Sequence, residues 1–343
     1  MLARLPPVKL SGKRILVTGG AGFIGSHLVD LLSADNTVTV LDDFSTGAVT
    51  NLAAVDGQVR IIEGDVRDPS VADAAVRDAD AIFHLAVVCL REAIGDPMRA
   101  HLVNDLGTLN LLMSARQAPG VQRFVYISSS EVYGNGVRLP IDEQHPLLPM
   151  TPYAASKLAG EAYVLSFART YGLRAMVVRP FNTYGPRAHL RGPSGELIPK
   201  FVARAMARRQ LVIFGDGQQM RDFTWVEDTV QGIKLAAEAD ALVGDVVNIA
   251  RGEGVSVLRI AELVQQILGS STPVQHVAPR PGDVVRQHAD VRKARELIGF
   301  EAATPIDVGM RRYIDWVQRQ PGDPASWLEG EEVVNWRQMA VTA

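Results

Sequence analysis

The sequence predicts an α/β fold, a doubly wound parallel sheet followed by a smaller C-terminal α/β lobe, from three observations. Its first half alternates short β-branched runs with helical stretches, which is typical of βαβ units. Several of these runs are apolar at every position, as in strands that helices cover on both faces. After Arg179, proline and glycine recur and the regular alternation ends. We therefore expect a large sheet first and a more irregular lobe on its C-terminal edge.

The individual elements follow from the pattern in chain order. The predicted strands of the large sheet span residues 14–18, 37–42, 59–63, 81–85, 123–128 and 174–179. The predicted helices between them include 24–32, 98–116 and 153–171; in the second of these, leucines recur at three- and four-residue steps. Strands 211–214 and 246–249 and helices 198–209, 229–239 and 257–268 are assigned to the smaller lobe. These elements predict a first domain over 1–180, a second lobe over 181–320 with chain crossings between the two, and a tail over 321–343.

Composition narrows the class of protein. The chain has 343 residues, more than one typical core, and 47% of them are hydrophobic, so the chain is able to bury a core. A formal net charge of −3 provides no basic surface for a nucleic-acid backbone. Cys89 is the only cysteine, which excludes a disulfide framework and a thiolate zinc site, and we expect no bound metal. Because no apolar run is long enough to span a bilayer and no secretory pattern is visible, we expect a cytoplasmic protein without a membrane partner.

The first predicted strand leads into a glycine-rich turn and then a helix. Gly19, Gly22 and Gly25 are spaced by three residues in this turn. Gly19 permits the tight turn, Gly22 lets backbone amides approach a pyrophosphate, and Gly25 lets the helix pack close to the strand. The helix N-terminus then presents unpaired N–H groups and a partial positive charge to phosphates. The pattern predicts a dinucleotide site of the Rossmann type.

Carboxylates at the ends of the next two strands refine this prediction. Asp42 and Asp43 end the second strand, about 20 residues after the turn, where a carboxylate accepts hydrogen bonds from ribose hydroxyls. Such a carboxylate would repel a 2′-phosphate, which favours NAD over NADP as the cofactor. The alternative for Asp42 is that it only begins a loop. Asp65, after the third strand, either caps the following turn or hydrogen-bonds the adenine.

A second group of polar residues follows the fifth strand. Ser129, Ser130 and Glu131 come directly after this strand, and Tyr153 and Lys157 begin a later helix, where positions i and i+4 share one face. An ammonium beside a phenol favours the phenolate, as does a positively charged nicotinamide ring, so we expect the pKa of Tyr153 to be lowered towards neutrality. Such a tyrosine accepts a proton from a sugar hydroxyl while hydride leaves the same carbon, and a serine hydroxyl holds the same oxygen. The alternative is an ordinary surface pair.

Taken together, these residues resemble the extended short-chain dehydrogenase/reductase superfamily, and more closely its NAD-dependent nucleotide-sugar epimerase/dehydratase branch. The resemblance extends over almost the whole chain, and its later motifs are residues 84–86, 179–187, 214–217, 221–223 and 280–283. It implies NAD as the cofactor, a nucleotide-diphosphate sugar as the substrate, and a homodimer that pairs through helices 98–116 and 153–171. The cofactor-binding residues that it implies are Gly19, Gly22, Phe23, Ile24, Gly25, Asp42, Asp43, Ser45, Thr46, Asp65, Val66, Leu85, Ala86, Asn104, Tyr153, Lys157 and Pro180.

The resemblance also implies a substrate site. The residues that it implies are Ser129, Ser130, Tyr153, Asn182, Phe214, Arg221, Arg280 and Asp283. In relatives the matching asparagine contacts the sugar diphosphate, the two matching arginines hold the pyrophosphate, and the segment ending at Phe214 lies along the nucleobase. Paired arginines suit a diphosphate because it accepts forked, charge-assisted hydrogen bonds. The alternatives are an ion pair of Arg221 with Asp222 and a solvated turn at Arg280.

Within this branch, the residues after the fifth strand distinguish the possible reactions. Dehydratases usually show Thr-Asp-Glu where this chain has Ser129-Ser130-Glu131, and UDP-glucuronate decarboxylases usually show Thr-Ser-Glu. The spacer between Tyr153 and Lys157 and the residues at 221–223 look more like 4-epimerases. The resemblance therefore implies inversion at carbon four of a UDP-hexose or UDP-hexuronate, with Ser129, Tyr153, Lys157 and Glu131 as catalytic residues.

Several alternatives stay open at this point. The reaction could be decarboxylation of UDP-glucuronate, 4,6-dehydration, or a dehydrogenation that releases NADH, and a non-catalytic NAD-binding regulator is a more distant alternative. Glu131 is either a general base or a loop carboxylate that caps a turn. Cys89 either lines the sugar pocket or is a buried structural thiol. The tail, with Trp327 and Trp336, docks either on the body or on a partner.

Overall fold

The computed structural model describes residues 9–191, 196–279, 284–331 and 333. Its strands are β1 (Arg14–Thr18), β2 (Thr37–Asp42), β3 (Arg60–Glu63), β4 (Ala81–His84), β5 (Arg123–Ile127), β6 (Ala175–Pro180), β7 (Asn182–Tyr184), β8 (Leu211–Phe214), β9 (Met220–Trp225), β10 (Val246–Ile249), β11 (Gly254–Ser256) and β12 (Val274–Val277). Its α-helices are α1 (Phe23–Ser33), α2 (Pro69–Val76), α3 (Leu90–Gly95), α4 (Pro97–Ala100), α5 (Gly107–Gln117), α6 (Pro152–Tyr171), α7 (Leu197–Met206), α8 (Val226–Glu238), α9 (Val257–Leu268), α10 (Arg292–Ile298) and α11 (Ile306–Gln318).

Seven parallel strands form the main sheet, in the order β10-β6-β5-β4-β1-β2-β3. The central strands β4 and β5 are buried at every position, as their apolar sequences predict. The strand order reverses between β1 and β4, and in sheets of this kind the carboxyl ends of the strands form a crevice at that point. The predicted fold class, a Rossmann-type doubly wound sheet, is confirmed.

Helices cover both faces of this sheet and bury two separate apolar clusters. On one face, Leu28 of α1 and Ile233 of α8 pack against the inward side chains of the sheet. On the other face, Ala72 of α2, Leu111 of α5 and Val164 of α6 do the same. All five side chains are fully buried, so the sheet has no apolar face open to water at these positions.

One predicted helix is interrupted. The sequence predicts a continuous helix over 98–116, but the chain forms α4, then a wider π-helical stretch over His101–Leu106, and then α5. Gly107 begins α5 against Val66, and a Cβ atom there would lie 2.6 Å from a methyl group of that valine. The wider turns also place Asn104 where its side chain reaches the backbone of Val88. The interruption therefore serves local packing, and π-helical stretches of this kind often lie near functional sites.

The smaller lobe contains fewer of the helices and strands after Arg179 than the sequence pattern predicts. Assigning 246–249 and 229–239 to that lobe is wrong, because β10 pairs with β6 at the edge of the main sheet and α8 packs beneath it. The elements that lie outside the main sheet include a three-stranded sheet, β11-β9-β7, and a two-stranded sheet, β12-β8. Their core is shared with α7, α9 and α11. The domain limits themselves stay a prediction.

The beginning of the tail docks on this smaller lobe. Trp327 is 1% exposed and lies in the same apolar cluster as α7 and α11. Glu331 accepts hydrogen bonds from Arg204 of α7, at 2.8 Å from Nη2 and 3.2 Å from Nε. Trp336 lies outside the described residues. Among the residues that are described, no helix is both long and apolar enough to cross a bilayer.

Candidate active site

A large pocket opens at the carboxyl ends of β1, β2, β4, β5 and β6, where the strand order reverses. One wall comes from residues of 19–25 and 42–47, and we call it the glycine-turn end. A second group of lining residues, 188–189 and 196–199 at the start of α7, is called the α7 end. Residues following β5 and β6 line the pocket as well.

The structure brings most of the predicted site residues to this one pocket. The predicted cofactor-binding residues that line it are Gly19, Gly22, Phe23, Ile24, Gly25, Asp42, Asp43, Ser45, Thr46, Asp65, Val66, Leu85, Ala86, Tyr153, Lys157 and Pro180. The predicted catalytic and substrate residues that line it are Ser129, Glu131, Tyr153, Lys157 and Asn182. Residues as far apart in the sequence as Gly19 and Asn182 therefore line one cavity, as expected if their motifs form a single site.

The glycine turn leaves backbone amides open to the pocket. Gly19 has a φ of +68°, and a Cβ atom there would lie 2.6 Å from the backbone nitrogen of Ala86. A Cβ atom at Gly25 would lie 2.0 Å from the carbonyl oxygen of Gly19, so only glycine allows this approach of α1 to β1. The N-cap residue of α1, Gly22, has no side chain to bond the first amides, and the first turn of the described helix holds no acidic residue. Free amides and a partial positive charge at this point fit a pyrophosphate.

Asp42 connects this turn to the end of β2. One carboxylate oxygen accepts the backbone N–H of Ala21 at 2.8 Å, and the other accepts that of Phe44 at 2.9 Å. Burial raises the pKa of Asp42. Each carboxylate oxygen accepts two hydrogen bonds, so the side chain keeps acceptor capacity towards the pocket that it lines. Asp42 thus supports the turn and also faces a place where a ribose would fit.

Asp43 and Asp65 also lie at the glycine-turn end. Asp43 accepts hydrogen bonds from the backbone N–H of Ser45 at 3.0 Å and from its hydroxyl at 2.6 Å. Asp65 accepts the backbone N–H of Arg67 at 2.8 Å and the Nε–H of the same residue at 2.7 Å. Asp65 therefore does cap its turn, one of the two predicted alternatives, while it still lines the pocket.

Tyr153 and Ser129 meet in the middle of the pocket. Thr151 caps α6 by accepting the N–H of Ala154 at 3.2 Å, and Pro152 occupies the first helical position, which fixes Tyr153 in the first turn. Ser129 follows the end of β5, and its hydroxyl interacts with the phenol of Tyr153 and lowers the pKa of that phenol. A phenol and a hydroxyl so paired both face the same volume, where an oxygen of a substrate would contact the two of them.

Lys157 lies one turn further along α6 and is 2% exposed. Its Nζ atom lies 4.2 Å from the centre of the Tyr126 ring, a favourable position for a cation. Burial lowers the pKa of Lys157 to about 7, and Glu161, four residues later, raises it. The amine therefore changes charge near neutral pH, and the carboxylate behind it favours the protonated form.

The expected acidity of Tyr153 is not present in the protein on its own. Burial raises the pKa of Tyr153 well above its usual range, the hydrogen bond from Ser129 lowers it, and the charge of Glu131 raises it further. In the chain alone, removal from water outweighs the polar neighbours, and the lowering of this pKa with a nicotinamide ring beside the phenol stays a prediction. A phenolate at neutral pH requires additional positive charge in the pocket.

Adjacent residues of the turn after β5 have different environments. Glu131 lines the pocket, and its backbone N–H donates to the hydroxyl of Ser129 at 3.2 Å. Ser130 is 3% exposed and lies behind the wall, where it contacts Gln287 through both its hydroxyl and its backbone oxygen. The prediction that Ser130 contacts the substrate is therefore wrong, because this side chain is buried and supports the turn.

Five further predicted residues lie outside this pocket or outside the described chain. Asn104 lies behind the wall and holds it in place, because its side chain accepts the N–H of Val88 at 2.7 Å and donates to the Ser156 hydroxyl at 2.9 Å. Phe214 ends β8 and Arg221 lies in β9, and neither lines the pocket. Asp222, the suggested ion partner of Arg221, instead accepts three backbone N–H groups, those of Arg251, Gly252 and Ala289. Arg280 and Asp283 lie outside the described residues.

A buried ion pair lies directly beneath the middle of the pocket. Glu161 of α6 accepts two hydrogen bonds from Arg179 of β6, at 2.8 Å and 2.5 Å, and both side chains are almost fully buried. Arg179 also donates to the phenol of Tyr133 at 2.8 Å, and that phenol donates to Asn248 at 2.7 Å. The network joins the helix that holds Lys157 to the turn that follows Ser129.

Sequence reasoning missed a histidine and a glutamate at the α7 end. His189 and Glu196 both line the pocket, and His189 Nδ1 lies 2.8 Å from a carboxylate oxygen of Glu196. Six residues separate them in the sequence, among them Gly192, Pro193 and Gly195, so no regular element predicted from the sequence brings the two together. Only the position of Glu196 directly before an apolar helix could have drawn attention to it.

The sequence of this chain matches a known protein family. The model of the NAD dependent epimerase/dehydratase family matches residues 15–250, which is more than half of the chain and includes β1 to β10. The chain belongs to this family. Its members depend on NAD, and the open amides of the glycine turn together with the carboxylate of Asp42 fit that cofactor.

Relatives in the family have several activities. A putative UDP-glucose 4-epimerase from Methanocaldococcus jannaschii is 33% identical over 89% of this chain and 98% of its own length. UDP-glucuronic acid decarboxylase 1 from Xenopus tropicalis is 33% identical over 92% of this chain and 76% of its own. The structure of a dTDP-glucose 4,6-dehydratase from Streptomyces venezuelae, solved with NAD bound, has a TM-score of 0.84 and 33% identity over 90% of this chain and 97% of its own. The epimerase/dehydratase chain described here is thus an NAD-dependent enzyme of nucleotide-sugar chemistry.

Proposed function

We propose that this enzyme inverts the configuration at carbon four of a UDP-hexose or UDP-hexuronate, through a transient 4-keto sugar. The observation that carries the proposal is the position of Tyr153, Ser129 and Lys157 in one pocket with the glycine turn. A group able to accept a proton thus lies beside a cofactor site, as required when a hydroxyl is oxidised to a ketone.

The chain's own residues have distinct tasks in this reaction. Tyr153 Oη removes the proton from the hydroxyl at carbon four, and Ser129 Oγ holds the same oxygen through the change from alcohol to ketone. Lys157, charged at and below about pH 7, adds positive charge to this region and favours the phenolate of Tyr153. NAD held at the glycine turn would supply the acceptor and donor of the hydride of carbon four and, in its oxidised form, a positive charge.

Proton transfer is reversed in the second half of the cycle. Once the 4-keto sugar has turned over in the pocket, Tyr153 Oη gives the proton back to the same oxygen as the new alcohol forms. The net change is a stereoisomer of equal mass, and no proton is gained or lost overall. Asn182 lines the pocket next to Phe181. In this proposal its side chain contacts the diphosphate of the substrate.

The turn after β5 favours epimerisation over dehydration. Water elimination needs an acid and a base near the sugar. In this turn the pocket receives one carboxylate, that of Glu131, whereas residue 130 is a serine buried against Gln287. Relatives at similar identity include a decarboxylase and a dehydratase, so these two reactions are the alternatives that the experiment distinguishes.

The experiment combines product analysis with one variant. Purified enzyme is incubated with UDP-glucose, UDP-glucuronate and UDP-N-acetylglucosamine, and the products are identified by NMR. We expect a stereoisomer of equal mass from at least one of them, whereas release of CO2 would indicate a decarboxylase and loss of water a dehydratase. Tyr153→Phe should abolish turnover and leave NAD affinity within about threefold, because only the proton-accepting oxygen is lost.

Tyr163→Phe is the matched control for this variant. Tyr163 lies on the same helix but is 36% exposed, so removal of its hydroxyl should leave turnover unchanged. A fully active Tyr153→Phe enzyme would refute the catalytic assignment. If NAD binds but no sugar nucleotide is bound or converted, the non-catalytic regulator becomes the better interpretation.

A homodimer is the assembly that we propose for this enzyme. The helices that pair in relatives correspond to the stretch from α4 to α5 and to α6. On this stretch Met98 is 64% exposed, Leu106 37% and Met113 42%, and these apolar side chains are suited to burial against a second copy. A cytoplasmic location likewise stays a prediction.

A further inference from the structure

The α7 end of the pocket contains a histidine held by a carboxylate. Glu196, immediately before α7, accepts the backbone N–H of His189 at 3.2 Å and lies 2.8 Å from its Nδ1 atom. Two contacts with the same residue fix the ring more firmly than one would. Because Nδ1 donates to the carboxylate, Nε2 is the nitrogen left to accept or donate another hydrogen bond.

The pair shares its pocket with Tyr153. His189, Glu196, Cys89 and Tyr153 all line the same cavity. Electrostatic interactions connect the thiol of Cys89 with both Tyr153 and Glu196. The histidine therefore lies in the wall of the pocket that also contains the catalytic phenol.

Several apolar residues line the pocket together with the pair. Leu197, Ile198 and Pro199 follow Glu196 along the chain, and Leu90, at the start of α3, lines the same pocket. In a pocket with apolar walls, a few convergent polar groups fix the orientation of the ligand. A site built to bond one oxygen also rejects analogues that lack it, because its own polar group is then left unpaired.

Several charged groups face the pair. The carboxylate of Glu196 raises the pKa of His189, burial lowers it, Glu92 raises it, and Arg91 lowers it. Lys200, one turn into α7, also lies within electrostatic range of Glu196 and Arg91. Glu196 has the largest effect, so the ring is more often protonated at neutral pH than an isolated histidine.

We propose that Nε2 of His189, oriented by Glu196, binds an oxygen of the sugar ring or of its substituents and thereby selects among nucleotide sugars. The inference rests on the proposed function, since it assumes that a nucleotide sugar occupies this pocket. The oxygen is either a hydroxyl or a carboxylate, and both chemistries suit an imidazole that donates when protonated and accepts when neutral.

The test measures binding, so that it does not depend on turnover. Affinities for UDP, UDP-glucose, UDP-glucuronate and UDP-N-acetylglucosamine are determined by calorimetry in the presence of NAD, for the wild type and for His189→Ala. We expect His189→Ala to weaken at least one UDP-sugar by about 10- to 100-fold and to leave UDP itself unchanged. If the bound group is a carboxylate, the affinity for UDP-glucuronate should fall the most. If it is a hydroxyl, the affinity for UDP-glucose should fall at least as much.

Dependence on pH separates a direct contact from a structural role. In the wild type, affinity for a sugar bound by protonated His189 should fall as the pH rises through the pKa of the ring. Glu196→Gln removes the group that most raises this pKa, so the fall should move to lower pH. His189→Gln retains a donor that does not titrate and should keep most of the affinity without this pH dependence.

His101→Ala is the matched control. His101 forms a similar pair with Asp105, at 2.8 Å, but its side chain is 57% exposed and lies outside the pocket. This variant should bind every ligand like the wild type. The inference is overturned if His189→Ala binds all three UDP-sugars with wild-type affinity, or if it weakens UDP by the same factor. If the wild type binds no UDP-sugar at all, the proposed function fails and this inference fails with it.

Discussion

At the glycine-turn end of the pocket, close approaches between stretches of backbone shape the wall, whereas at the α7 end two side chains, those of His189 and Glu196, pair with each other. Gly19 and Gly25 have no side chain, and their importance lies in how closely two pieces of backbone approach. His189 contributes an imidazole whose orientation depends on Glu196, and the tail's Glu331 contacts α7 from the far end of the chain.

This difference determines how each end tolerates change. A backbone cradle is specified by a short stretch of sequence and binds a group that is the same in every NAD-dependent relative. A wall of side chains is replaced one residue at a time while the fold persists, so it is the part that varies with the sugar. The contrast is consistent with relatives of similar identity that carry out epimerisation, decarboxylation and dehydration.

The strongest test of the backbone end is Gly25→Ala. The new Cβ atom would lie 2.0 Å from the carbonyl oxygen of Gly19, so α1 has to move away from β1 and the cradle of amides opens. Overpacking against backbone of this kind is expected to reduce NAD affinity by about 100-fold. The measurement is a titration with NAD followed by calorimetry, with circular dichroism to verify that the sheet has formed.

Gly95→Ala provides the control for this change. Gly95 ends α3, and nothing lies within 4 Å of a Cβ atom built there. This variant should bind NAD like the wild type. If Gly25→Ala also binds NAD normally, the cradle is not held by close backbone contact, and the comparison between the two ends loses its basis.

A second effect, on stability and on the dependence of the rate on pH, is expected at Glu161. Glu161→Gln leaves the buried guanidinium of Arg179 without its counter-charge, which costs about 3–5 kcal/mol of unfolding free energy. The same change lowers the pKa of Lys157 further below about 7, because Glu161 is the group that raises it. The basic limb of the pH–rate profile should then move to lower pH. Urea unfolding and initial rates between pH 5 and pH 9 would measure both effects.

Two variants control the interpretation of Glu161→Gln. Glu262→Gln removes the partner of Arg259 from an ion pair whose side chains are about half exposed, and it should change stability by less than about 0.5 kcal/mol. Glu161→Asp retains the charge and should restore the position of the pH limb even if it is less stable. An unshifted limb in Glu161→Gln would mean that this carboxylate acts on stability alone.

Local patterns in the sequence predicted the frame of the sheet and the glycine-turn end. The strand predicted over 123–128 is observed as β5 (Arg123–Ile127). Its consecutive apolar residues, 124–127, leave no polar face for solvent, and this pattern predicts a strand that is buried on both faces. The glycines were recognised because their spacing follows from backbone geometry alone. In both cases the information lies within a few neighbouring residues.

What depends on distant partners was not visible in the sequence. The pair of Glu161 with Arg179 spans 18 residues and two elements, and the contact of Ser130 with Gln287 spans 157 residues. Periodicity carries no signal for such contacts, so Ser130 was predicted to face the substrate and His189 was not predicted at all. The raised pKa of Tyr153 in the chain alone was not visible for a related reason, since burial depends on everything packed around the phenol.

The smallest perturbation uses Cys89, the only cysteine of the chain, as a reporter between the two ends. Burial raises the pKa of its thiol above the usual 9.0, and only the thiolate reacts with iodoacetamide, so labelling of the folded enzyme at pH 7 should be at least about tenfold slower than labelling of the unfolded chain. Because the pKa lies above 9.0, the rate should rise about tenfold per pH unit from pH 7 to pH 9 without a plateau. Mass spectrometry measures the rate, and Cys89→Ser confirms that no other residue is labelled.

Ligands then distinguish the two ends with this same reaction. Cys89 lies within electrostatic range of both Tyr153 and Glu196, so a sugar that extends towards α7 should cover it more completely than the cofactor does. We expect NAD to slow labelling by about twofold and a bound UDP-sugar to slow it several-fold more, since access to the thiol governs the rate at a fixed pH. Equal protection by NAD alone would place Cys89 in the wall of the cofactor site, and the α7 end would then begin beyond it.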